Sequence, residues 1–308
     1  MNRIPLALTH LLATAPSAPA AIQFVLAFFA PESGGSPNAN NIDSLYKIVL
    51  VVALIIFVAV IGGLTYAMIR FRARKGATAQ QTHGNTRLEI GWTVAAAVIL
   101  VGLAILTFAR LSSIETPPNS DAAGASLTNA EAQEEAGDGS SGGGKLYATA
   151  TQHLPPNGKS LEIKVIGKQF VWQFVYPGAT ERDGLGAPYS YEELVVPTKT
   201  TVTLDIVSQD VVHSWWVPQL GGKFQAVPGY HNYTWFKIEH PGIFRGQCAV
   251  LCGRGHARMI ATVKAIPPAQ FEAWLVRQRQ LIAEANHEAA IARAKLNSQV
   301  GAGQVENP

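Results

Sequence analysis

Cysteine is nearly absent from this sequence, whose 308 residues include only Cys248 and Cys252. Two cysteines cannot build the disulfide framework of a small secreted domain, which leaves one local disulfide, one metal site or two free thiols. Charge is also scarce, at 15% of residues with a formal net charge of +3. Such a small, unevenly placed excess does not form the basic surface of a nucleic-acid-binding protein, so no nucleic-acid partner is expected.

Two long segments contain no charged residue, Ile48 to Ile69 and Ile90 to Ala109. As helices, both are long enough to cross a hydrocarbon core about 30 Å thick. Basic residues in a short loop mark the cytoplasmic side, so residues 43–110 are predicted to form a two-helix hairpin in the plasma membrane with both outer ends on the outer face. A buried hairpin of a soluble protein is the alternative. From Arg70 to Arg87 the loop has no acidic residue, and it also carries Arg72, Arg74 and Lys75.

Composition predicts the role of the segments that flank this hairpin. Residues 1–30 combine an early Arg3 with apolar stretches and small residues, the pattern of a secretory signal peptide. Pro16 and Pro19 interrupt the apolar stretches and leave an uncleaved interfacial segment as the alternative. Residues 111–158 are rich in Ala, Gly, Ser and acidic residues and lack apolar area to bury, so we predict a flexible linker.

Apolar and polar residues alternate through much of 159–267, with proline and Pro-Gly pairs between the alternating segments. Four such segments begin at Leu161, Thr201, Thr234 and Ala261. A period of two is typical of strands with one buried face, so this region is predicted to be a compact β-sandwich or barrel. Residues 268–308 are predicted to form a C-terminal helix and a polar tail, with the start of the helix packed on the β-domain.

Soft metal ligands are concentrated in the stretch 246–259. They are Cys248, Cys252, His256 and Met259. This set suits copper, because a thioether is a poor ligand for zinc, calcium or magnesium. One blue-copper ion needs one thiolate and two imidazoles, whereas two thiolates four positions apart could bridge two ions. A second imidazole must then come from elsewhere, and His213, just after a predicted strand, is the best-placed candidate.

A local disulfide beside a core-filling methionine is the alternative for this stretch. The remaining histidines have no comparable neighbours, and they are predicted to be surface residues or hydrogen-bonded ones: His10, His83, His153, His231, His240 and His287.

Four segments, in order along the chain, resemble subunit II of haem-copper cytochrome c oxidases. They are Asn85–Thr93, Ser208–Trp215, Pro218–Lys223 and Gly246–Met259. The resemblance covers about residues 43–275. It implies a membrane-anchored all-β protein, in which an antiparallel hairpin of two transmembrane helices carries a cupredoxin-like Greek-key β-barrel and a C-terminal helix.

The resemblance also implies a function and a ligand set. In this family a dinuclear copper centre, CuA, accepts electrons from a cytochrome c-type donor, soluble in the periplasm or membrane-anchored. It passes them to haem-copper subunit I, which carries the haem, reduces oxygen to water and assembles with other oxidase subunits. By position, the implied copper ligands are His213, Cys248, Cys252, His256, Met259 and the backbone carbonyl of Val250. A site filled entirely by protein ligands fits a relay rather than a catalytic metal.

The chain departs from the family at several positions. Val250 stands where a Glu commonly reaches a magnesium ion shared with the catalytic subunit, so we expect that site to be altered or lost. Phe170 stands where a Trp commonly accepts electrons, with Trp172 two residues on, and both are candidates for an exposed aromatic over the copper. Gln225 and Tyr230 stand where the family commonly has Asp and Arg. Since acidic residues steer a basic cytochrome c, Gln225 weakens that steering and favours a different donor.

Three other functions remain as alternatives. A quinol oxidase subunit would share the fold, but that resemblance implies loss of the copper ligands, and all five side-chain ligands are present here. A copper-delivery membrane protein would expose a labile site. An exported adhesion domain would leave the spacing of the two cysteines, His256 and Met259 unexplained.

Overall fold

The computed structural model of the chain describes residues 32–72, 83–124, 154–157, 159–177 and 187–303, together with residues 29 and 76. The chain divides into two units: one comprises Met1–Pro31 and Asp43–Val98, and the other Glu32–Ile42 and Ile99–Pro308. The predicted signal peptide, 1–30, lies outside the described residues apart from residue 29.

Two helices are long and apolar enough to cross a membrane, α1 (Pro37–Arg70) and α2 (Thr86–Glu115). Their most apolar segments are not buried by protein, as expected of helices that are apolar on every side and covered by lipid. Asn41 Nδ2 donates to the Ser113 carbonyl at 2.9 Å, so the start of α1 lies beside the end of α2. The predicted helical hairpin is confirmed.

The strands of the β-domain form three sheets. They are β1 (Leu161–Lys168), β2 (Val171–Val175), β3 (Tyr189–Tyr191), β4 (Glu193–Pro197), β5 (Thr201–Ser208), β6 (His213–Trp215), β7 (Phe224–Ala226), β8 (Asn232–Lys237), β9 (Gly242–Gln247) and β10 (Ile260–Ile266). The sheet orders are β3-β2-β1-β5-β8, β4-β10-β9 and β6-β7. Pairing is parallel between β1 and β5 and between β4 and β10, and antiparallel elsewhere.

Side chains from the sheets share one hydrophobic core. Ile163 and Leu204 enter it from the larger sheet, and Val263 from the three-stranded sheet, because alternate residues of each strand face inward. Helix α3 (Pro268–Gly303) packs its first turns on this domain through the buried Phe271, whose ring centroid lies 6.2 Å from that of Tyr176. The predicted cupredoxin-like all-β domain with a C-terminal helix is confirmed.

The linker predicted over 111–158 starts too early. Helix α2 continues to Glu115, and the segment after it bonds to the β-domain. The Asp121 N–H donates to the Lys199 carbonyl at 2.9 Å, and the Asp121 carboxylate pairs with the nearly buried Lys237 ammonium at 2.7 Å. The polar composition did not reveal these specific partners, and residues 125–153 lie outside the described part of the chain.

Candidate metal centre

The imidazole of His213 is held at the start of β6 with no exposure to solvent. Its Nε2 lies 2.8 Å from Asp210 Oδ1, and Nε2–H is the donor because an ionised carboxylate only accepts. Its Nδ1 is buried and has no hydrogen-bond partner among the described residues. A Cβ at Gly167 would lie 2.9 Å from His213 Cδ2, so glycine at this position of β1 makes room for the ring.

The loop from β9 to β10 carries the other predicted ligands, and backbone hydrogen bonds fix its two ends. The Cys248 N–H donates to the Met259 carbonyl at 2.9 Å, which closes the loop at its base. The Ala249 N–H donates to the Ser214 carbonyl at 2.8 Å, which ties the loop to the residue beside His213. The two parts of the site are therefore positioned by the backbone of the fold.

Five sulfur, nitrogen and oxygen atoms of this loop lie close together. The Sγ atoms of Cys248 and Cys252 are 3.9 Å apart, and both cysteines are free. Cys252 Sγ lies 3.7 Å from His256 Nδ1 and 3.9 Å from Met259 Sδ, and Cys248 Sγ lies 3.3 Å from the Val250 carbonyl.

His213 joins the two cysteines in a single group. The potential ligand atoms of these three residues all lie within 4.8 Å of one another. The structure therefore brings together all six groups that the sequence singled out, in an arrangement that could hold a metal.

Burial and hydrogen bonding set the charges around these atoms. Burial, and next the neighbouring Cys248, raise the pKa of the Cys252 thiol to about 11, so without metal this thiol is protonated at neutral pH. Burial acts to raise the pKa of Asp210, but hydrogen bonds from His213, Gln169 and Val211 outweigh it and hold that pKa below its usual value. Asp210 is therefore an anion, and it holds His213 in the tautomer that carries its proton on Nε2. The unprotonated Nδ1 is the ring nitrogen that does not face Asp210.

The two aromatic candidates for electron acceptance occupy different environments. Trp172 is fully buried in β2, with its ring edge toward His213 at a centroid distance of 5.8 Å. The expectation of an exposed ring is therefore wrong for Trp172, because alternation along β2 turns it into the core. Phe170 is partly exposed and lies over the ligand loop, where a Cβ on Gly253 would come within 3.0 Å of the ring and one on Gly255 would overlap it.

The positions that depart from the family lie at or near the surface. Val250 is half-buried, the adjacent Leu251 is 82% exposed, and Gln225 and Tyr230 are exposed on β7 and the turn after it.

Gln169 is a member of this site that the sequence did not indicate. Its side-chain amide donates to the Cys252 carbonyl at 2.7 Å, and its backbone N–H donates to Asp210 Oδ2 at 2.6 Å. It therefore joins the His213 side of the site to the cysteine loop. No sequence motif indicates this role, because the hydrogen-bond partners of Gln169 lie 41 and 83 residues away along the chain.

Comparisons with known proteins agree with this architecture. Residues 19–109 match the family described as cytochrome c oxidase subunit II, transmembrane domain, and residues 189–266 match cytochrome c oxidase subunit II, periplasmic domain. The chain is 30% identical over 254 residues to cytochrome c oxidase subunit 2 of Synechocystis, an alignment that covers 78% of this chain and 73% of the relative.

Two further proteins are similar over narrower ranges. Cytochrome c oxidase subunit 2 of Alkalihalophilus pseudofirmus is 32% identical over 241 residues, which are 78% of this chain but only 59% of that protein. The solved periplasmic domain of subunit II of Bradyrhizobium japonicum cytochrome oxidase is 29% identical, with a TM-score of 0.37, over 40% of this chain and 96% of that domain.

Proposed function

This chain belongs to the cytochrome c oxidase subunit II family, and on that premise we propose that it binds two copper ions and relays electrons from a donor to a haem-copper catalytic subunit. Each transfer oxidises the donor by one electron, and four electrons with four protons reduce one oxygen molecule to two water molecules in the partner subunit. The copper domain then lies on the outer face of the plasma membrane, as the basic loop between the helices predicts.

The buried, unpartnered Nδ1 of His213 carries this proposal. A buried nitrogen without a hydrogen bond costs about 1–3 kcal/mol, and a metal ion offers the compensation that the protein does not. Potential ligand atoms of His213, Cys248 and Cys252 all lie within 4.8 Å of one another. Thiolate, imidazole and thioether together suit copper better than zinc or a hard cation.

The donor set provides enough atoms for two ions. His213 and His256 would supply one imidazole each, the two cysteines would supply their sulfur atoms, and Met259 and the Val250 carbonyl would complete the set. When bound, the copper pair supplies reversible one-electron oxidation and reduction. The protein positions these ligands through the backbone bonds at both ends of the loop, so that little rearrangement accompanies a change of redox state.

Ligand burial also argues against copper delivery as the main function. His213, Cys248 and Met259 are each at most 2% exposed, and Cys252 is 6% exposed. A carrier that hands copper on needs ligands that an acceptor protein can reach, whereas a relay needs only proximity to its partners.

Copper analysis and EPR spectroscopy of the full chain, purified in detergent, test this proposal. We expect two copper ions per chain that share one unpaired electron, and we expect the C252S variant to lose that signal. As a matched control, C252S is compared with S214A, whose buried hydroxyl is not among the proposed ligands but whose carbonyl accepts the loop hydrogen bond. One copper per chain, or zinc in its place, would overturn the proposal.

The shared magnesium site is a separate proposal. The apolar side chain of Val250 offers no oxygen to magnesium, so we propose that the assembled oxidase lacks a magnesium ligand from this subunit. Restoring a carboxylate by V250E should raise the magnesium or manganese content of the purified oxidase. An oxidase that already contains a fully occupied site with a carboxylate from this chain would contradict this proposal.

A further inference from the structure

We propose that the ligand-loop surface of this chain receives an electron donor with an acidic docking face, which inverts the charge relation expected for a basic cytochrome c. This inference rests on the proposed function, because it names the class of donor for the same centre. The surface is defined by Phe170, Arg254 and Arg258, together with Val211 and Val212.

Phe170 marks where a donor approaches the site most closely. Its partly exposed ring lies directly on Gly253 and Gly255, which belong to the loop that also carries Cys252 and His256. The ring covers the buried Gly255, beside the exposed Gly253 and Arg254. A donor protein can touch this ring, whereas Trp172 is fully buried.

Two arginines frame this position. Arg254 lies between the two glycines under the Phe170 ring, and Arg258 lies on the short helical turn that begins at His256. Both are exposed, and neither makes an ion pair within the described residues. Unpaired guanidinium groups project a positive potential over roughly 8–10 Å at physiological salt, which is enough to orient an approaching protein.

Nearby acidic groups do not cancel this charge. Asp210 is one-third exposed, and its carboxylate is committed to His213 and to the backbone N–H groups of Gln169 and Val211. Glu192 directly follows β3, and its backbone N–H donates to the Trp172 carbonyl. Its side chain makes no ion pair with either arginine in the described part of the chain.

The apolar part of the surface fits a protein partner. Val211 and Val212 follow Asp210 in the loop before β6 and are 39% and 37% exposed. Transient interfaces between redox proteins combine a small apolar centre with a charged rim of complementary sign. A donor whose acidic residues surround an exposed haem edge matches this surface, whereas a basic cytochrome c would meet like charge.

Stopped-flow oxidation of two reduced probes by the purified oxidase tests this inference. The probes are a soluble cytochrome c of net negative charge and a basic mitochondrial-type cytochrome c, each at low and high salt. We expect the acidic probe to react at least 10-fold faster at low salt and to slow as salt rises, with the opposite salt dependence for the basic probe.

Charge-reversal variants locate the effect. R254E/R258E should slow the acidic probe by about 10-fold or more and speed the basic one, and R254Q/R258Q should fall between that variant and the unmodified chain. R277E/R279E is the matched control, since it makes the same charge change on α3, which follows the opposite end of β10. The control should change either rate less than twofold.

The outcomes separate this inference from the function on which it rests. A basic probe that reacts faster and slows with salt, or an R254E/R258E variant that reacts as the unmodified chain does, would overturn the acidic-donor proposal. Oxidation of a small uncharged phenylenediamine and the copper EPR signal should persist in all three double variants. Their absence from the unmodified oxidase would instead overturn the relay function.

Discussion

Replacing Asp210 with asparagine tests how His213 is held for metal binding. Asp210 Oδ1 accepts from His213 Nε2–H at 2.8 Å and from the Val211 N–H at 2.6 Å, while Oδ2 accepts from the Gln169 N–H at 2.6 Å. Asparagine has one acceptor oxygen, and its NH₂ group would face at least one of these donors. One N–H loses its acceptor in one orientation of the amide, and two lose it in the other.

The expected cost follows from the number and exposure of these bonds. Hydrogen bonds to a charged group contribute about 1.5–3 kcal/mol, and the partial exposure of Asp210 places the net loss in D210N at about 1–2 kcal/mol. For a domain of this size, such a loss lowers the melting temperature by roughly 5–15 °C. Loss of a carboxylate behind a metal-binding histidine typically weakens metal affinity by about 10- to 100-fold.

The measurement compares D210N with a matched variant, D205N, in the full chain purified in detergent. Asp205 pairs with His231 Nδ1 at 2.7 Å, so both variants convert a carboxylate beside a histidine into an amide, but only one histidine is a proposed ligand. Copper release to a chelator and thermal unfolding should change in D210N, while D205N should retain copper. Equal copper affinity in D210N and the unmodified chain would refute the assignment of His213 orientation to Asp210.

Three further outcomes follow from the structure. Q169A removes the hydrogen bond to the Cys252 carbonyl and should lower the free energy of unfolding by about 1 kcal/mol. Copper release to a competing chelator should also become faster, and an unchanged release rate would contradict a role of Gln169 in holding the ligand loop. G255A forces a Cβ into the Phe170 ring and should cost about 2–3 kcal/mol in thermal unfolding, part of which F170A/G255A should recover if the ring is the cause. The hydrogen bond that His231 donates to Asp205 outweighs burial and raises the pKa of His231. This pair therefore stabilises the fold below pH about 6.5, and the stabilisation is lost as pH rises through the folded-state pKa. Because the ring is half exposed, the effect stays below about 0.5 kcal/mol, and a melting profile whose pH dependence is the same in H231Q would contradict it.

Local patterns predicted those parts of the molecule that depend on neighbouring residues. Charge-free lengths predicted α1 and α2, alternation predicted the longer strands, and the spacing within 246–259 pointed to the loop side chains that the fold brings together. Alternation along β2 also contained the signal that Trp172 faces the core, since it shares a face with the buried Phe174.

Features that depend on distant contacts were not predictable in this way. Gln169 became part of the site only because the turn after β1 meets a loop 83 residues further on. The segment after α2 packs on the β-domain through Asp121, whose partner Lys237 lies 116 residues away, and its polar composition resembles that of a linker. The pairing of Asp210 with His213 is local, but their three-residue spacing did not indicate which ring nitrogen remains free.

The unequal burial of the ligands has a consequence for how the centre is assembled. Four of the five ligand side chains are closed to solvent, and His256 alone is half-buried, with its Nδ1 3.7 Å from Cys252 Sγ. If the site holds copper, an ion that comes from solvent would reach this imidazole before the inner sulfur atoms. His256 is therefore the one proposed ligand side chain that is open to solvent and also lies next to a buried thiol.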